Sequence, residues 1–270
     1  MRFFDPHIHA ASRTTDELAA MARAGCVVLG EPAFWMGFDR TGVASFRDYF
    51  RQLTEWEPKR AANCGMRHYA WIGVNAKEAE DVEFSREVIA ILPEFLDRPG
   101  VLGVGEIGLN KCTRNEVATL LELIDLAMRR EEQLLFHTPH LADKHMGTRM
   151  ILDLLRADRR VDRSRVCIDH CEEHTLRMVL DEGYWAGITL YPTTKATPER
   201  AADMIEVYGP ERILVNSSAD WGPSDPMAVA EFIFVMRRRG HPESLIRRIV
   251  YDNPLAFFNQ SVNFQFTPAE

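Results

Sequence analysis

Six side chains of the kind that bind metal ions lie far apart in the sequence, each just after a short apolar run. They are His7, His9, Glu106, His137, His170 and Asp220. In an extended chain, residues two apart point to the same side, so His7 and His9 can contact one ion. Four histidines and two carboxylates predict a hydrolytic centre with two metal ions.

The residue types indicate which metals and which chemistry to expect. Neutral imidazole nitrogen and carboxylate oxygen suit Zn first, with Mn, Fe, Co and Mg as alternatives, so we expect one or two divalent ions. The two oxygens of Glu106 allow it to bridge cations ~3.5–4 Å apart. A bound cation lowers the pKa of water from ~15.7 to ~7, which supplies hydroxide at neutral pH. Asp220 is the candidate that binds one ion and accepts the proton of this water.

Eight apolar runs predict the strands that bring these side chains together. Short runs rich in Val, Ile and Leu are typical of a parallel sheet covered on both faces. The predicted strands span 2–5, 26–30, 68–74, 101–105, 133–137, 165–169, 184–190 and 211–215.

Helical patterns fill the segments between the strands. One covers 15–21, with a threonine cap and Gly25 as its stop, and another runs from Asn115, its expected cap, to Arg130. Pro198 and Pro226 are expected in first turns, where proline loses no donor. Further helices are predicted over 148–155, 172–180, 198–207 and 226–236, with extra ones near 43–63 and 242–259.

Eight strands, each followed by a helix, predict a (β/α)8 TIM barrel that forms a single domain over 1–270 with extra C-terminal helices. In such a barrel the C-terminal strand ends and the following loops surround one pocket. The candidate ligands follow strands one, four, five, six and eight at this same end. Asp169 precedes His170, so strand alternation predicts that it points the other way and makes a structural hydrogen bond.

Composition narrows the class of protein. A formal net charge of -8 argues against a basic nucleic-acid binder. No run approaches ~18 apolar residues and no charged-then-apolar leader precedes His7, so we expect a cytoplasmic protein without a membrane span. The five cysteines form no CxxC pair and are expected as reduced thiols. Roles for Cys112 and Cys171, which lie beside candidate ligands, stay open.

These motifs resemble the TatD-like metal-dependent hydrolases, within the wider amidohydrolase superfamily. The resemblance covers nearly the whole chain: HIH at 7–9, GEIGLN at 105–110, HTPH at 137–140, DH at 169–170, SSAD at 217–220 and DNP at 252–254. It implies a (β/α)8 barrel with one or two metal ions. It further implies one ion held by His7, His9, Glu106 and Asp220, and a second held by Glu106, His137 and His170.

Three departures from the family pattern bear on the substrate. The TatD-like nucleases usually read GLD, HxR and Glu-Thr-Asp where this chain has 108–110 (GLN), 137–139 (HTP) and 218–220 (SAD). The missing arginine and acids lie in the substrate-facing neighbourhood, which implies a substrate other than DNA. The insert at 31–38 resembles an uncharacterised hydrolase subgroup rather than the nucleases proper.

The expected pocket loops carry both basic and aromatic residues, which favours a small anionic substrate with a ring-like part. The alternative is that these loops are simply polar, with aromatics packed over the barrel mouth. Basic loop residues are Arg13, Arg40, Lys111, Arg114, Lys144 and Lys195. Candidate substrate contacts are His140, Trp35, Lys111, Tyr191 and Trp221.

Three functions follow from the sequence. The first is a metal-dependent hydrolase of a small phosphoester, amide or lactone, with an ester or phosphoester bond as the expected target. The second is a TatD-like deoxyribonuclease acting on DNA ends, which the acidic net charge does not favour. The third is a metal-binding barrel that takes part in a pathway without catalysis. The oligomeric state stays open.

Overall fold

The computed structural model describes residues 1–140 and 143–267 as a parallel sheet of eight strands surrounded by helices. The strands are β1 Phe3–Asp5, β2 Cys26–Pro32, β3 Arg67–Ile72, β4 Val101–Gly108, β5 Gln133–His137, β6 Val166–Ile168, β7 Trp185–Thr189 and β8 Ile213–Asn216. Each strand pairs in parallel with the next, in sequence order from β1 to β8. The predicted (β/α)8 TIM barrel and its eight strands are therefore confirmed.

The seam between β8 and β1 is joined by hydrogen bonds beyond the strand ends. The Ser218 N–H donates to the His7 carbonyl at 2.7 Å, and the His9 N–H donates to the Ala219 carbonyl at 2.9 Å. The Asp5 carboxylate accepts from the Ser217 N–H at 3.0 Å. The barrel thus closes through the same loop that carries the first two candidate ligands.

Helices cover the outside of the sheet. They are α1 Thr15–Ala24, α2 Val43–Arg51, α3 Glu57–Asn63, α4 Val82–Ile91, α5 Pro93–Leu96, α6 Arg114–Arg130, α7 Lys144–Ala157, α8 Leu176–Asp181, α9 Pro198–Tyr208, α10 Ala228–Arg238, α11 Glu243–Arg247 and α12 Asn253–Phe258. Two π-helical turns, Gln52–Trp56 and Arg248–Asp252, join α2 to α3 and α11 to α12. The extra helices expected near 43–63 and 242–259 are confirmed. None of the helices in 1–140 and 143–267 is long and apolar enough to cross a membrane.

Local sequence explains where these helices begin and corrects two predicted starts. Pro198 occupies the first turn of α9 as predicted. The cap of α6 is Thr113, whose side chain accepts from the Glu116 N–H at 3.1 Å. The prediction of Asn115 as the cap was wrong, because its side chain donates instead to the Glu80 carbonyl at 2.9 Å. The first-turn position of Pro226 was also wrong, since α10 begins at Ala228 with Met227 as its cap.

Aromatic side chains fill the N-terminal end of the barrel interior. Phe4 and Trp71 from the strands meet Phe257 and Phe258 from α12, and all four are at most 1% exposed. The Trp71 and Phe257 rings stack with centroids 5.8 Å apart. We call this set, together with the tail aromatics described next, the aromatic floor.

The segment after α12 completes the aromatic floor. The Phe266 ring meets Phe4 edge-on at 5.3 Å, and Phe264 lies 4.5 Å from the Tyr69 ring between centroids. The Tyr69 hydroxyl donates to the Gln265 carbonyl at 2.6 Å. The tail therefore closes the barrel at the end opposite the candidate ligands.

Candidate metal centre

Five of the six predicted ligands converge at the C-terminal end of the barrel. Ligand atoms form three overlapping groups in which all members lie within 4.8 Å of one another. The groups are His7, His9 and Glu106; His7, Asp169 and His170; and Glu106, His137 and His170. Every member is buried. The structure thus brings His7, His9, Glu106, His137 and His170 together, and it adds Asp169.

His7 and His9 follow β1 and face each other. Their Nε2 atoms lie 3.2 Å apart, and the Nδ1 of His7 donates to the Asp169 carboxylate at 2.5 Å. The His9 ring stacks on Phe34, with centroids 3.7 Å apart. Burial lowers the pKa of His7, but hydrogen bonds to Asp169 and Glu106 outweigh it and raise the pKa to about 9. A metal ion bound by His7 must displace this proton.

Glu106 lies where the register between β4 and β5 shifts, between Gly105 and Ile107. Such an irregularity re-aims a side chain at a strand end. The carboxylate of Glu106 meets three imidazoles: His137 Nδ1 at 2.5 Å, His170 Nε2 at 3.2 Å and His7 Nε2 at 3.5 Å. Burial raises the pKa of Glu106, but these imidazoles outweigh it and hold the pKa well below its usual range. Glu106 is therefore a carboxylate shared between the first and third groups.

Asp169 points into the site, which corrects the prediction that it points away. β6 ends at Ile168, and His170 has a left-handed φ of 59°, so strand alternation does not apply to residues 169 and 170. One carboxylate oxygen of Asp169 accepts from the His170 N–H at 2.6 Å and from the Asn216 amide at 3.0 Å. The predicted structural hydrogen bonding is present. The other carboxylate oxygen of Asp169 accepts from the Nδ1 of His7. This contact fixes the orientation of the His7 ring, as carboxylates behind ligating histidines do.

Asp220, the sixth predicted ligand, lies on the cavity wall and belongs to none of the three groups found in the described residues. Its Oδ1 accepts from the Gly222 N–H at 2.7 Å and from the Tyr191 hydroxyl at 3.2 Å. The chain bends at Ser218, whose φ is 43°, so Asp220 comes two residues after the turn beside His7. Within 1–140 and 143–267, its Oδ2 makes no hydrogen bond. Asp220 therefore faces the site from its rim and leaves one oxygen free.

A cavity of about 310 Å³ opens above the histidines. Four of the predicted substrate contacts line it: His140, Trp35, Tyr191 and Trp221. Lys111 does not line this cavity; its side chain is exposed and its N–H donates to Glu116 at 2.9 Å. The Trp35 and Trp221 rings lie 6.2 Å apart at the mouth, and Trp221 is 55% exposed. The cavity thus has a polar base and an aromatic rim.

Other basic loop residues differ in what they contact. Lys144 is buried and donates to the Thr138 hydroxyl at 3.0 Å and to the His170 carbonyl at 2.8 Å. Arg40 pairs with Glu78 and lies over the Tyr49 ring at 4.1 Å. Lys195 lines the cavity and is 8% exposed. The sequence alone gave no signal that separated Lys195 from the other basic residues, because its position depends on the fold of the loop after β7.

The thiols near the ligands do not join the described metal-ligand groups. Cys171 is buried and donates to the Ile168 carbonyl at 3.3 Å. Burial raises the pKa of the Cys171 thiol, and it also raises the pKa of Cys112. Both sulfurs are therefore favoured as neutral thiols rather than thiolate ligands.

The donor set fits divalent cations. Among the histidines around the cavity and the ligand groups, three buried ring nitrogens lack a hydrogen-bond partner: His9 Nδ1, His137 Nε2 and His140 Nδ1. Burial also lowers the pKa of His9, His137 and His140, so the neutral imidazole that binds metals is favoured. Buried, unpaired imidazole nitrogens beside a carboxylate are what a metal ion would satisfy.

Comparison with known proteins gives one family. The family model described as TatD related DNase matches residues 4–259. An uncharacterised metal-dependent hydrolase of Methanocaldococcus jannaschii is 28% identical over 261 residues, which cover 94% of this chain and 98% of that protein.

Solved structures agree on the architecture. The TatD-like protein of Archaeoglobus fulgidus superposes with a TM-score of 0.78 at 27% identity, over 95% of this chain and 100% of that one. A phosphotriesterase homology protein from Escherichia coli, complexed with phosphate in its active site, superposes with a TM-score of 0.70 at 16% identity, over 95% of this chain and 98% of that one. At that identity the second likeness shows the fold alone.

Proposed function

We propose that this chain, which belongs to the TatD related DNase family and is a metal-dependent hydrolase, acts on a small phosphoester, amide or lactone. The observation that carries the proposal is the set of three overlapping ligand groups beneath a cavity of about 310 Å³. A cavity of this size takes a small substrate better than an extended polymer.

Two divalent ions, with Zn as the first choice, would be held by two sets of ligands. One set is His7, His9 and Glu106, and the other is Glu106, His137 and His170. When bound, such ions polarise the substrate and make water acidic enough to supply hydroxide. Asp169 holds His7 by its Nδ1, and the Thr189 hydroxyl meets His170 Nδ1 at 2.7 Å, so the Nε2 atoms of both rings face the centre.

Asp220 is the proposed proton acceptor. Its Oδ1 is held by the Gly222 N–H and Tyr191 hydroxyl, which fix the carboxylate, while Oδ2 is left to take a proton from water. A positioned general base contributes about 10²–10⁴-fold to a rate. In this role Asp220 acts from the rim without having to ligate an ion.

Metal content and a substrate panel test the proposal. Elemental analysis should find one or two divalent ions per chain. The panel contains p-nitrophenyl phosphate, simple lactones, an anilide and single-stranded oligonucleotides, and we expect turnover of at least one small ester. Bound metal with no turnover of any small substrate would contradict the proposal.

The Asp220→Asn variant tests the proton acceptor. It should keep its metal and lose about 10²–10⁴-fold in turnover, because an amide cannot accept the proton. Asp225→Asn, an exposed aspartate in the same loop, serves as the matched control. Unchanged turnover in Asp220→Asn would remove the assigned role.

Hydrolysis of DNA ends is a second candidate, because the matching family model is described as a DNase. Against it stand the net charge of -8 and Pro139 at the position where the nucleases usually carry arginine. A nuclease that neutralises several phosphates would lose activity steeply as salt rises. Cleavage of single-stranded oligonucleotides with such a salt dependence, and faster than any small ester, would favour this candidate.

A further inference from the structure

Lys195 places an ammonium group inside the cavity, with no hydrogen-bond or ion-pair partner among the described residues. It lies in the turn after β7, where its N–H donates to the Tyr191 carbonyl at 2.8 Å and its Nζ lies 4.6 Å above the Tyr191 ring. The residue is only 8% exposed. Across 1–140 and 143–267, its Nζ makes no hydrogen bond or ion pair. Lys195 is therefore a largely buried ammonium that contacts an aromatic ring, and the described residues leave its hydrogen-bonding capacity unused.

Lys144 provides a comparison inside the same site. It too is buried, but its Nζ donates to the Thr138 hydroxyl and the His170 carbonyl, so it joins two ligand-bearing loops. Burying a charge without a partner costs stability, so an unpaired ammonium has no structural reason to be there. The hydrogen bonds of Lys144 give it a structural role. The ammonium of Lys195 makes no such hydrogen bonds in the described residues, so it is available to bind an anion in the cavity.

The surroundings of Lys195 limit what that anion can be. Burial lowers the pKa of the Lys195 ammonium, and Glu106, Asp169 and Asp220 oppose that shift electrostatically without making an ion pair with it in the described residues. His140 and His170 line the cavity together with Lys195, at the base where the metal ligands lie. An anion there would meet Lys195 on one side and the metal ligands on the other. The aromatic rim of Trp35 and Trp221 leaves room above for an organic group.

We propose that Lys195 binds the non-bridging oxygens of a terminal phosphoryl group, so that the cavity selects phosphomonoesters over phosphodiesters, lactones and amides. This inference rests on the proposed function and names its substrate class. A phosphomonoester carries about 1.5 to 2 negative charges at neutral pH, whereas a diester carries about one and a lactone none. Lysine is a compact point charge and a common phosphate binder.

The reaction is hydrolysis of a phosphomonoester by water. The oxygen of water forms a bond to phosphorus, and the ester P–O bond breaks. One proton of the water passes to the Asp220 carboxylate and from there to the departing alkoxide, which leaves as an alcohol. The other product is inorganic phosphate. Lys195 keeps its protons and stabilises the negative charge on the phosphoryl oxygens.

Binding of inorganic phosphate to the metal-loaded protein tests Lys195 without requiring turnover. We expect Lys195→Met, which keeps the length of the side chain and removes the charge, to raise the phosphate Kd at least tenfold in a calorimetric titration. Lys195→Arg should restore part of the binding, because it keeps the charge. Lys59→Met, at an exposed position of α3, is the matched control and should bind phosphate like the original protein. An unchanged Kd in Lys195→Met, or no phosphate binding by the original protein, would overturn the inference.

Turnover and stability separate this role from a structural one. In Lys195→Met, kcat/KM for p-nitrophenyl phosphate should fall by about 10²–10³, the effect of losing one group that stabilises transition-state charge. The value for a neutral lactone, where it is turned over, should change less than about threefold, and the thermal unfolding midpoint should not fall. Equal losses on both substrates, or a large drop in the midpoint, would contradict the inference. Lys195→Gln replaces Lys195→Met if the latter does not fold.

Phosphate binding and substrate hydrolysis together distinguish a failure of the proposed function from a failure of this inference. If phosphate binding depends on Lys195 but no small ester is hydrolysed, the proposed function fails and the phosphate site is retained. If lactones or amides are hydrolysed and phosphate binding does not depend on Lys195, the proposed function holds and this inference fails.

Discussion

The two ends of the barrel are built from the same strands but for opposite purposes. In β5, Leu135 packs into the aromatic floor, while His137, two residues later on the same face of the strand, belongs to a metal-ligand group. The floor contains closely packed rings, among which the Trp71 Nε1 is left without a hydrogen-bond partner, and the other end contains several buried imidazole nitrogens without partners. Apolar burial stabilises the fold, whereas unpaired buried polar groups oppose it. The floor therefore contributes mainly to stability, whereas the ligand end contributes mainly to function.

Removing a ring from the floor is expected to have the largest effect on stability. Phe258→Ala should lower the free energy of unfolding by about 3–5 kcal/mol, because it leaves a cavity among buried rings. Chemical denaturation measures this change. Phe234→Ala, the same substitution at a residue that is 55% exposed, is the control and should change little. If the folded fraction of Phe258→Ala lost its metal as well, the separation between the two ends would be broken.

Removing the shared carboxylate should have the largest effect on function. Glu106→Gln should reduce metal content towards one ion per chain and turnover by about 10³-fold, roughly 4 kcal/mol, since a neutral amide bridges cations poorly. Elemental analysis and steady-state kinetics measure both. Glu132→Gln, just before β5 at the other end, is the control. Retention of two ions at full occupancy in Glu106→Gln would contradict the bridging assignment.

A smaller effect should follow from the carboxylate that holds His7. Asp169→Asn should lower metal affinity about 10- to 100-fold, the usual effect of losing a carboxylate behind a ligating histidine. Competition with a chelator measures it, with Asp48→Asn, at an exposed position of α2, as the control. If Asp169→Asn bound metal as tightly as the original protein while unfolding more easily, Asp169 would serve the fold alone.

The smallest expected effect concerns Asp5, at the boundary between the two ends. Burial raises the pKa of Asp5 to about 6, despite hydrogen bonds from Ser217. A carboxyl with a raised folded-state pKa is destabilising when ionised, so this cost is present above about pH 6 and declines as the pH falls towards the unfolded value of 3.8. Asp5→Asn should therefore stabilise the metal-free protein by about 1–2 kcal/mol at pH 8 and by less at pH 4. An equal change at both pH values would show that ionisation of Asp5 is not the cause.

Much of this architecture could be predicted because short stretches of sequence determine it. Alternating apolar runs and helical patterns located the eight strands, and the position of Glu106 and His137 at strand ends predicted that they would meet. The single-domain organisation, the cytoplasmic location and the identity and number of the metal ions stay predictions.

What the sequence could not predict depends on backbone turns beyond the strand ends. The left-handed conformation of His170 turned Asp169 into the site, and the bend at Ser218 kept Asp220 on the rim. The Asp169-His170 pair directly after β6 could have indicated that Asp169 belongs to the site. Strand alternation, which does not apply beyond the end of β6, gave the wrong direction for its side chain. No local pattern marked the loop fold that buries Lys195.

The aromatic floor also sets the order in which the barrel can be completed during synthesis. Phe4 emerges at the start of the chain, but its ring partner Phe266 follows almost the whole sequence later. At about 5–20 residues per second, the ribosome delivers that partner roughly 13 to 50 seconds after Phe4. Throughout that interval the Phe4 ring lacks the aromatic partner that covers it in the folded barrel.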